Sequence, residues 1–143
     1  MEVSVTERDT TAGVLVDGEG LYLVAQRKEG GPLSRKWEFI GGKNRYGESL
    51  AETLKREWME EVGLEIEVDS FLLNTEFVNN GVHYTLHCFS VRLLSGSETI
   101  NLTVHDDVRW VTKDELKDLD FGPSDSVIRA YITGEREKPS APL

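Results

Sequence analysis

An α/β fold, with a mixed β-sheet flanked by helices, is what this sequence predicts, and three observations carry the prediction. Short apolar and β-branched runs separated by Gly, Asn and Asp turns recur through much of the chain. One segment in the first half carries both a helix start and a helix stop around an apolar face. The 143 residues, 38% of them apolar, are enough for one core, and no repeat or linker divides them. Residues 1–134 are therefore expected to form one domain, and the polar, Pro-containing stretch 135–143 a flexible tail.

Taken in order, "TTAGVLVDGEGLYLVAQR" (Thr10 to Arg27) holds two β-branched, apolar runs split by Asp17-Gly18 and Gly20, a strand, turn, strand pattern. "EGGPLSRK" reads as a loop and "WEFI" as a short strand that stops at Gly41-Gly42. Ser49 with Glu52 three residues later is a capping-box pattern, and Gly63 stands where the helix would end. At about 100° per residue, Leu50, Ala51, Leu54, Trp58 and Val62 share one sector, so this helix has a face built for burial. "FLLNTEFVNNGVHYTLHCFSVRLL" reads as two strands joined at Asn80-Gly81, a favoured hairpin turn. "DDVRWV" is a further strand, Thr112 and Glu115 cap a brief helix, and Ser124 or Asp125 opens a last one through "SVIRAYI".

The formal charge of −10 argues against a broad basic face that grips a nucleic-acid polymer. No apolar run approaches the roughly 18 residues of a membrane span, and the first residues do not resemble a secretory signal, so a cytoplasmic protein with no membrane partner is expected. Cys88 is the single cysteine and reads as a small buried apolar residue. The acidic average conceals a local reversal. Eight basic residues lie between Arg27 and Arg56 (Arg27, Lys28, Arg35, Lys36, Lys43, Arg45, Lys55, Arg56), against the four acids Glu29, Glu38, Glu48 and Glu52. Three clustered carboxylates, Glu57, Glu60 and Glu61, follow at once. A basic window beside a carboxylate cluster suits a polyanion delivered with a divalent cation, although a solvated mixed-charge surface has the same pattern.

On a helix, Glu57 neighbours both Glu60 and Glu61, and each like-charged pair costs roughly 0.2–0.5 kcal/mol. Arg56 recovers part of this through Glu60. So small a penalty leaves a merely solvated acidic face open. Closely spaced carboxylates are nevertheless the oxygen ligands that Mg²⁺ takes while sharing its shell with water and phosphate. Gly41-Gly42, just upstream, allow backbone to approach a ligand where a Cβ would obstruct it.

These residues carry a resemblance. From Gly42 to Leu64, "GKNRYGESLAETLKREWMEEVGL" resembles the Nudix box: Gly, five residues, Glu, seven residues, Arg-Glu, an apolar position, any residue, Glu-Glu, any residue, Gly, apolar. Gly42, Glu48, Arg56, Glu57, Glu60, Glu61, Gly63 and Leu64 fill the specified places, with Trp58 at the first apolar one. The lead-in "WEFIGGK" resembles the MutT-like branch, with Ile40 where Pro is usual. The resemblance implies a Nudix-type α/β/α sandwich and Mg²⁺- or Mn²⁺-dependent hydrolysis of a nucleoside triphosphate, such as 8-oxo-dGTP or a CTP/dCTP-type nucleotide, to monophosphate and pyrophosphate. It further implies metal ligation by Glu57 and Glu61, with Glu60, the Gly41 carbonyl and Glu48 contributing. Arg56 would orient Glu57, and Glu57 is the first choice for the carboxylate that takes the proton of the attacking water.

Relatives often carry an acid-His segment before a strand Trp. Here it reads "VHDDVRW", with Val104 at the acid's place, so Asp106 or Asp107 is a possible loop base, unless they are ordinary turn residues. Arg27 and Lys43 are candidates for substrate binding. Asp125, in "PSDS", matches the position that contacts the nucleobase in MutT-like enzymes, and also reads as a helix cap. Phe77 and Tyr84 could stack on a base, or pack in the core. His83 and His87, at strand spacing on one face, read as structural. The expected partner is a small-molecule nucleotide, with the protein a monomer or homodimer. Two alternatives stand beside this reading: hydrolysis of ADP-ribose or dinucleoside polyphosphates, which the lack of a Pro between Pro32 and Pro123 disfavours, and a catalytically silent nucleotide sensor, which the complete set of box acids disfavours.

Overall fold

The structure is a computed structural model that describes residues 6–94 and 100–135. The first strand, β1 (Thr6–Leu15), is buried from Thr11 onward and leads into a turn. There the Asp17 carboxylate accepts from the backbone N–H groups of Glu19 and Leu21, at 2.9 and 2.8 Å. The turn delivers β2 (Tyr22–Arg27), and a loop leads to the two-residue β3 (Trp37–Glu38). Helix α1 (Leu50–Val62) is followed by β4 (Ile66–Asn79), β5 (Val82–Leu93), β6 (His105–Val111), a 3₁₀ turn (Glu115–Asp118) and helix α2 (Pro123–Thr133).

The local signals hold. Ser49 and Glu52 form the predicted capping box, with N···O distances of 2.9 and 3.1 Å, and Gly63 closes α1 in the left-handed conformation. Asn80 and Gly81 both have positive φ, the geometry of a tight hairpin turn between β4 and β5. Thr112 and Glu115 bond reciprocally at the 3₁₀ turn. Cys88 lies in the core, and burial pushes its thiol well up. The flexible tail expected over 135–143 lies, beyond Glu135, outside the described residues.

The mixed sheet exists, but the strands divide between two sheets. One is mixed, in the order β1-β5-β4, with β1 parallel to β5; the other is antiparallel, in the order β3-β2-β6. Beyond the Val16–Tyr22 bridge, β1 and β2 part company. On the edge away from β5, β1 bonds to the segment after β3: Gly13 N–H donates to the Ile40 carbonyl at 2.8 Å and Thr11 N–H to the Gly42 carbonyl at 2.9 Å. These bonds join the two sheets and fix Gly41-Gly42 against a buried strand.

Each helix covers its own core. Leu54, Trp58 and Val62 of α1 pack with Leu23, Ile40 and Ile66. Ile128 of α2 packs with Val24, Phe39, Leu73 and Phe121. The start of α2 corrects an expectation: Gly122 is its N-cap and Pro123 its first residue, so neither Ser124 nor Asp125 caps it. His87 meets Asp9 at 2.8 Å, and His83 lies near Glu7 and Glu76, surface pairs consistent with a structural role. Among the described residues, no helix is long and apolar enough to cross a membrane.

Candidate active site

Burying one face of α1 brings its polar edge beside Gly41-Gly42. Arg56 is the organising side chain. Its Nε and Nη2 grip both oxygens of Glu48, at 2.6 and 2.9 Å, while Nη1 donates to Glu57 at 2.7 Å and to Glu60 at 3.3 Å. Nη2 also donates to the Lys43 carbonyl at 3.1 Å, which ties the glycine loop to the helix. The guanidinium holds the Glu48 carboxyl down at about 2. Glu48 was expected among the metal ligands. In this structure its oxygens are taken up by Arg56, Thr53 and the Arg45 N–H, an arrangement that clamps Arg56.

Glu57 and Glu61 face inward, whereas the Glu60 side chain is half exposed at the rim. A Cβ built on Gly42 would lie 2.3 Å from the Glu57 carboxyl carbon, so only glycine leaves room for this carboxylate. Glu61 is buried beside Glu57 and Glu38. Burial first, then those two neighbours, drive its carboxyl well above the usual carboxylate range. Its Oε2 is buried without a partner. A cradle that only glycine permits and an unsatisfied carboxylate oxygen between two further acids fit a divalent cation, which would supply the positive charge that this group lacks.

The segment leading to β6 closes the cleft. Thr103 Oγ1 donates to the carbonyls of Glu60 and Glu61, at 3.0 and 3.1 Å, and places Val104 at the cleft wall. The two proposed loop bases point elsewhere: Asp106 pairs with Arg35 at 3.6 Å and Asp107 with Arg109 at 2.9 Å. The residue that enters the site is His105, almost completely buried, with Nε2 at 2.8 Å from Glu38 Oε2 and 3.7 Å from Glu61 Oε1. Glu38 and His105 were not selected from sequence. The alternation of β3 was the available signal, since a buried Trp37 turns Glu38 to the opposite face.

A second cavity adjoins the carboxylate cleft, with Phe39, Phe77, Tyr84, Leu33 and Asp125 among its walls. Phe77 and Tyr84 stack with ring centroids 5.0 Å apart, and Lys43 Nζ lies 5.4 Å from the Tyr84 centroid. Asp125, buried, accepts from Phe39 N–H at 2.8 Å. Arg27, Gly41, Gly42 and Lys43 line both cavities, and Arg27 reaches Glu38 at 3.2 Å.

A carboxylate cradle at one end and an aromatic recess at the other, bridged by basic residues, make this cleft the candidate active site. The chain belongs to the Nudix hydrolase family, since the NUDIX domain matches residues 6–131. It is 37% identical over 116 residues to "Putative 8-oxo-dGTP diphosphatase 2" of Mycobacterium tuberculosis, covering 80% of this chain and 79% of that protein. It is 27% identical over 127 residues to the CTP pyrophosphohydrolase of Escherichia coli, covering 88% and 93%. Its fold is similar to that of the E. coli ORF135 protein, with a TM-score of 0.73 at 26% identity over 85% of this chain and 84% of that one.

Two results are expected here. Gly42→Ala should retain the fold yet lose most activity, because the added methyl meets a side-chain carboxylate that can move, and that movement spoils the cradle. Gly41→Ala should lower stability as well, since its methyl would lie 2.0 Å from the Thr11 carbonyl oxygen, a backbone atom. Urea unfolding and turnover measured together separate the two. The second concerns Asp125, whose carboxyl burial pushes up to about 7, with a smaller contribution from Glu38. The native state therefore holds this proton more tightly than the unfolded chain. That stability contribution is complete below about pH 4 and is lost as pH rises to about 7. Asp125→Asn, which can still accept from Phe39, should gain stability over the parent by up to a few kcal/mol between pH 4 and 7, then hold it constant. A difference that does not vary with pH would contradict this.

Proposed function

We propose that this Nudix hydrolase converts a nucleoside triphosphate to the monophosphate and pyrophosphate, with Mg²⁺ or Mn²⁺, acting on a cytosolic pool. The observation that carries the reading is the shared wall: Arg27, Gly41, Gly42 and Lys43 line both the aromatic recess and the carboxylate cleft. A molecule with a base at one end and a polyphosphate at the other spans both. Relatives named for 8-oxo-dGTP and for CTP support that substrate class.

In this reading Glu57 and Glu61 hold the ion, with Glu60 at the rim and the Gly41 carbonyl as a further oxygen donor. When bound, the ion offsets the negative charge of the phosphates and acidifies water. Glu57 accepts the proton of the attacking water, an oxygen–phosphorus bond forms, the anhydride bond breaks, and pyrophosphate leaves with the bonding electrons. Arg56 holds Glu57 in position at 2.7 Å, itself clamped by Glu48. Val104 at the cleft wall and the outward pairing of Asp106 and Asp107 favour the box glutamate over a loop base. Arg27 and Lys43 meet the phosphate chain. In the recess, Phe77 and Tyr84 offer a stacking surface and Asp125 a carboxyl that accepts from base N–H and amino groups when ionised.

The test is a panel of canonical and oxidised nucleoside triphosphates, with ADP-ribose and dinucleoside polyphosphates alongside, each with Mg²⁺ and with EDTA. Metal-dependent release of pyrophosphate from a triphosphate is expected. Turnover of ADP-ribose alone, or nucleotide binding with no turnover, would overturn the reading.

A further inference from the structure

His105 has no part in the chemistry just described, yet it is 2% exposed, and its ring reaches two carboxylates from different elements. Glu38 comes from β3, Glu61 from α1, and His105 opens β6. One ligand atom from each lies within 4.8 Å of the others. Three side chains brought together from distant parts of the sequence, with one carboxylate oxygen of Glu61 buried and unpartnered, form a convergent donor set. Two carboxylates and an imidazole offer a dication both charge neutralisation and a nitrogen ligand.

We infer that Glu38, Glu61 and His105 form a second cation position beside the Glu57–Glu61 cradle, and that its imidazole selects Mn²⁺ over Mg²⁺. Mg²⁺ holds to oxygen donors and a near-ideal octahedral shell with several waters, whereas Mn²⁺, although it prefers oxygen and is the weakest binder of the first-row series, accepts an imidazole nitrogen more readily than Mg²⁺ does. In the ion-free state, Nε2–H donates to Glu38, which leaves Nδ1 as the bare nitrogen. The Glu38 bond favours the proton on Nε2 while no ion is present; an ion that takes over the Glu38 oxygen removes that preference, and Nε2 then presents its lone pair with the proton on Nδ1. The absence of an acceptor for that proton makes this the weaker of the two positions. Arg27, which lines both cavities, is bonded to the other oxygen of Glu38 and fixes this carboxylate's position.

The inference rests on the proposed function only in taking Glu61 as a shared ligand, and spectroscopy separates the two. Mn²⁺ bound to the full chain without nucleotide should show nitrogen coupling in its electron spin echo modulation. His105→Gln should abolish that coupling and reduce the Mn²⁺ stoichiometry, followed by the signal of free Mn²⁺, from two to one. Glu38→Gln, which keeps the imidazole, should weaken the second position by about ten-fold or more, while circular dichroism verifies that both variants fold. Mg²⁺ should displace the nitrogen-coupled ion poorly and the other readily. Wild-type Mn²⁺ spectra with no nitrogen coupling, or unchanged stoichiometry in a folded His105→Gln protein, would overturn the inference. Nitrogen coupling in a protein that hydrolyses no triphosphate would leave the inference standing and remove the proposed function.

Discussion

Glu57→Gln is expected to lower kcat for triphosphate hydrolysis by about two to four orders of magnitude, the range that removal of a positioned acid or base produces. Glutamine keeps the length of the side chain and one oxygen able to accept from Arg56, so the helix edge has no packing reason to change. What disappears is the charge that, in the proposed mechanism, holds a cation and takes a proton. Stability should stay the same or rise, because Glu57 contributes to the crowding of negative charge that holds the Glu61 proton in place. Steady-state kinetics across Mg²⁺ concentrations, with circular dichroism of the same preparation, test this. A variant that unfolds would make Glu57 a structural residue, and a folded variant with full kcat would move the proton acceptor elsewhere.

The largest loss of stability is expected from Trp58→Ala. The indole is fully buried in the core beneath α1, its Nε1–H donates to the Ile40 carbonyl at 2.9 Å, and it lies so close to β1 that a Cβ on Gly13 would come within 2.8 Å of the indole nitrogen. Truncation leaves a cavity and removes one of the two hydrogen bonds to the Ile40 carbonyl, which keeps its bond from Gly13 N–H; the cavity dominates the cost of about 3–5 kcal/mol. Because that carbonyl precedes Gly41-Gly42, the cradle should loosen as well. Trp58→Phe separates these effects: it keeps most of the bulk, removes one hydrogen bond from a carbonyl that Gly13 still satisfies, and should cost about 0.5–1.5 kcal/mol. Trp37 and Trp110 remain as fluorescence reporters for urea unfolding in both variants. A Trp58→Ala protein as stable as the parent would mean that α1 is not held by this contact.

Helix α1 shows why part of the site was legible. Its cap at Ser49–Glu52, its stop at Gly63 and the spacing of Arg56, Glu57, Glu60 and Glu61 depend on residues one to four positions apart, which the sequence presents directly. The hairpin at Asn80-Gly81 is equally local. Asp125 shows the reverse. A Pro-Ser-Asp segment suits a cap, but burying Phe39 and Phe121 in one stack, with ring centroids 5.2 Å apart, brings the Phe39 N–H to the Asp125 carboxylate across 86 residues. The same holds for His105 and Glu38, 67 residues apart, whose meeting requires β2 to pair with both β3 and β6.

From its residues alone, the chain determined where α1 begins and ends, where the hairpin turns, and which acids crowd one helical edge, since short-range sterics and hydrogen bonds govern each. Only the tertiary structure decided that the strands divide into two sheets, that Glu48 grips Arg56, that Asp106 and Asp107 turn outward, and that His105 turns in. Those outcomes follow from the competition among distant segments for the same buried space and the same hydrogen-bond partners, and that competition has no period in the sequence.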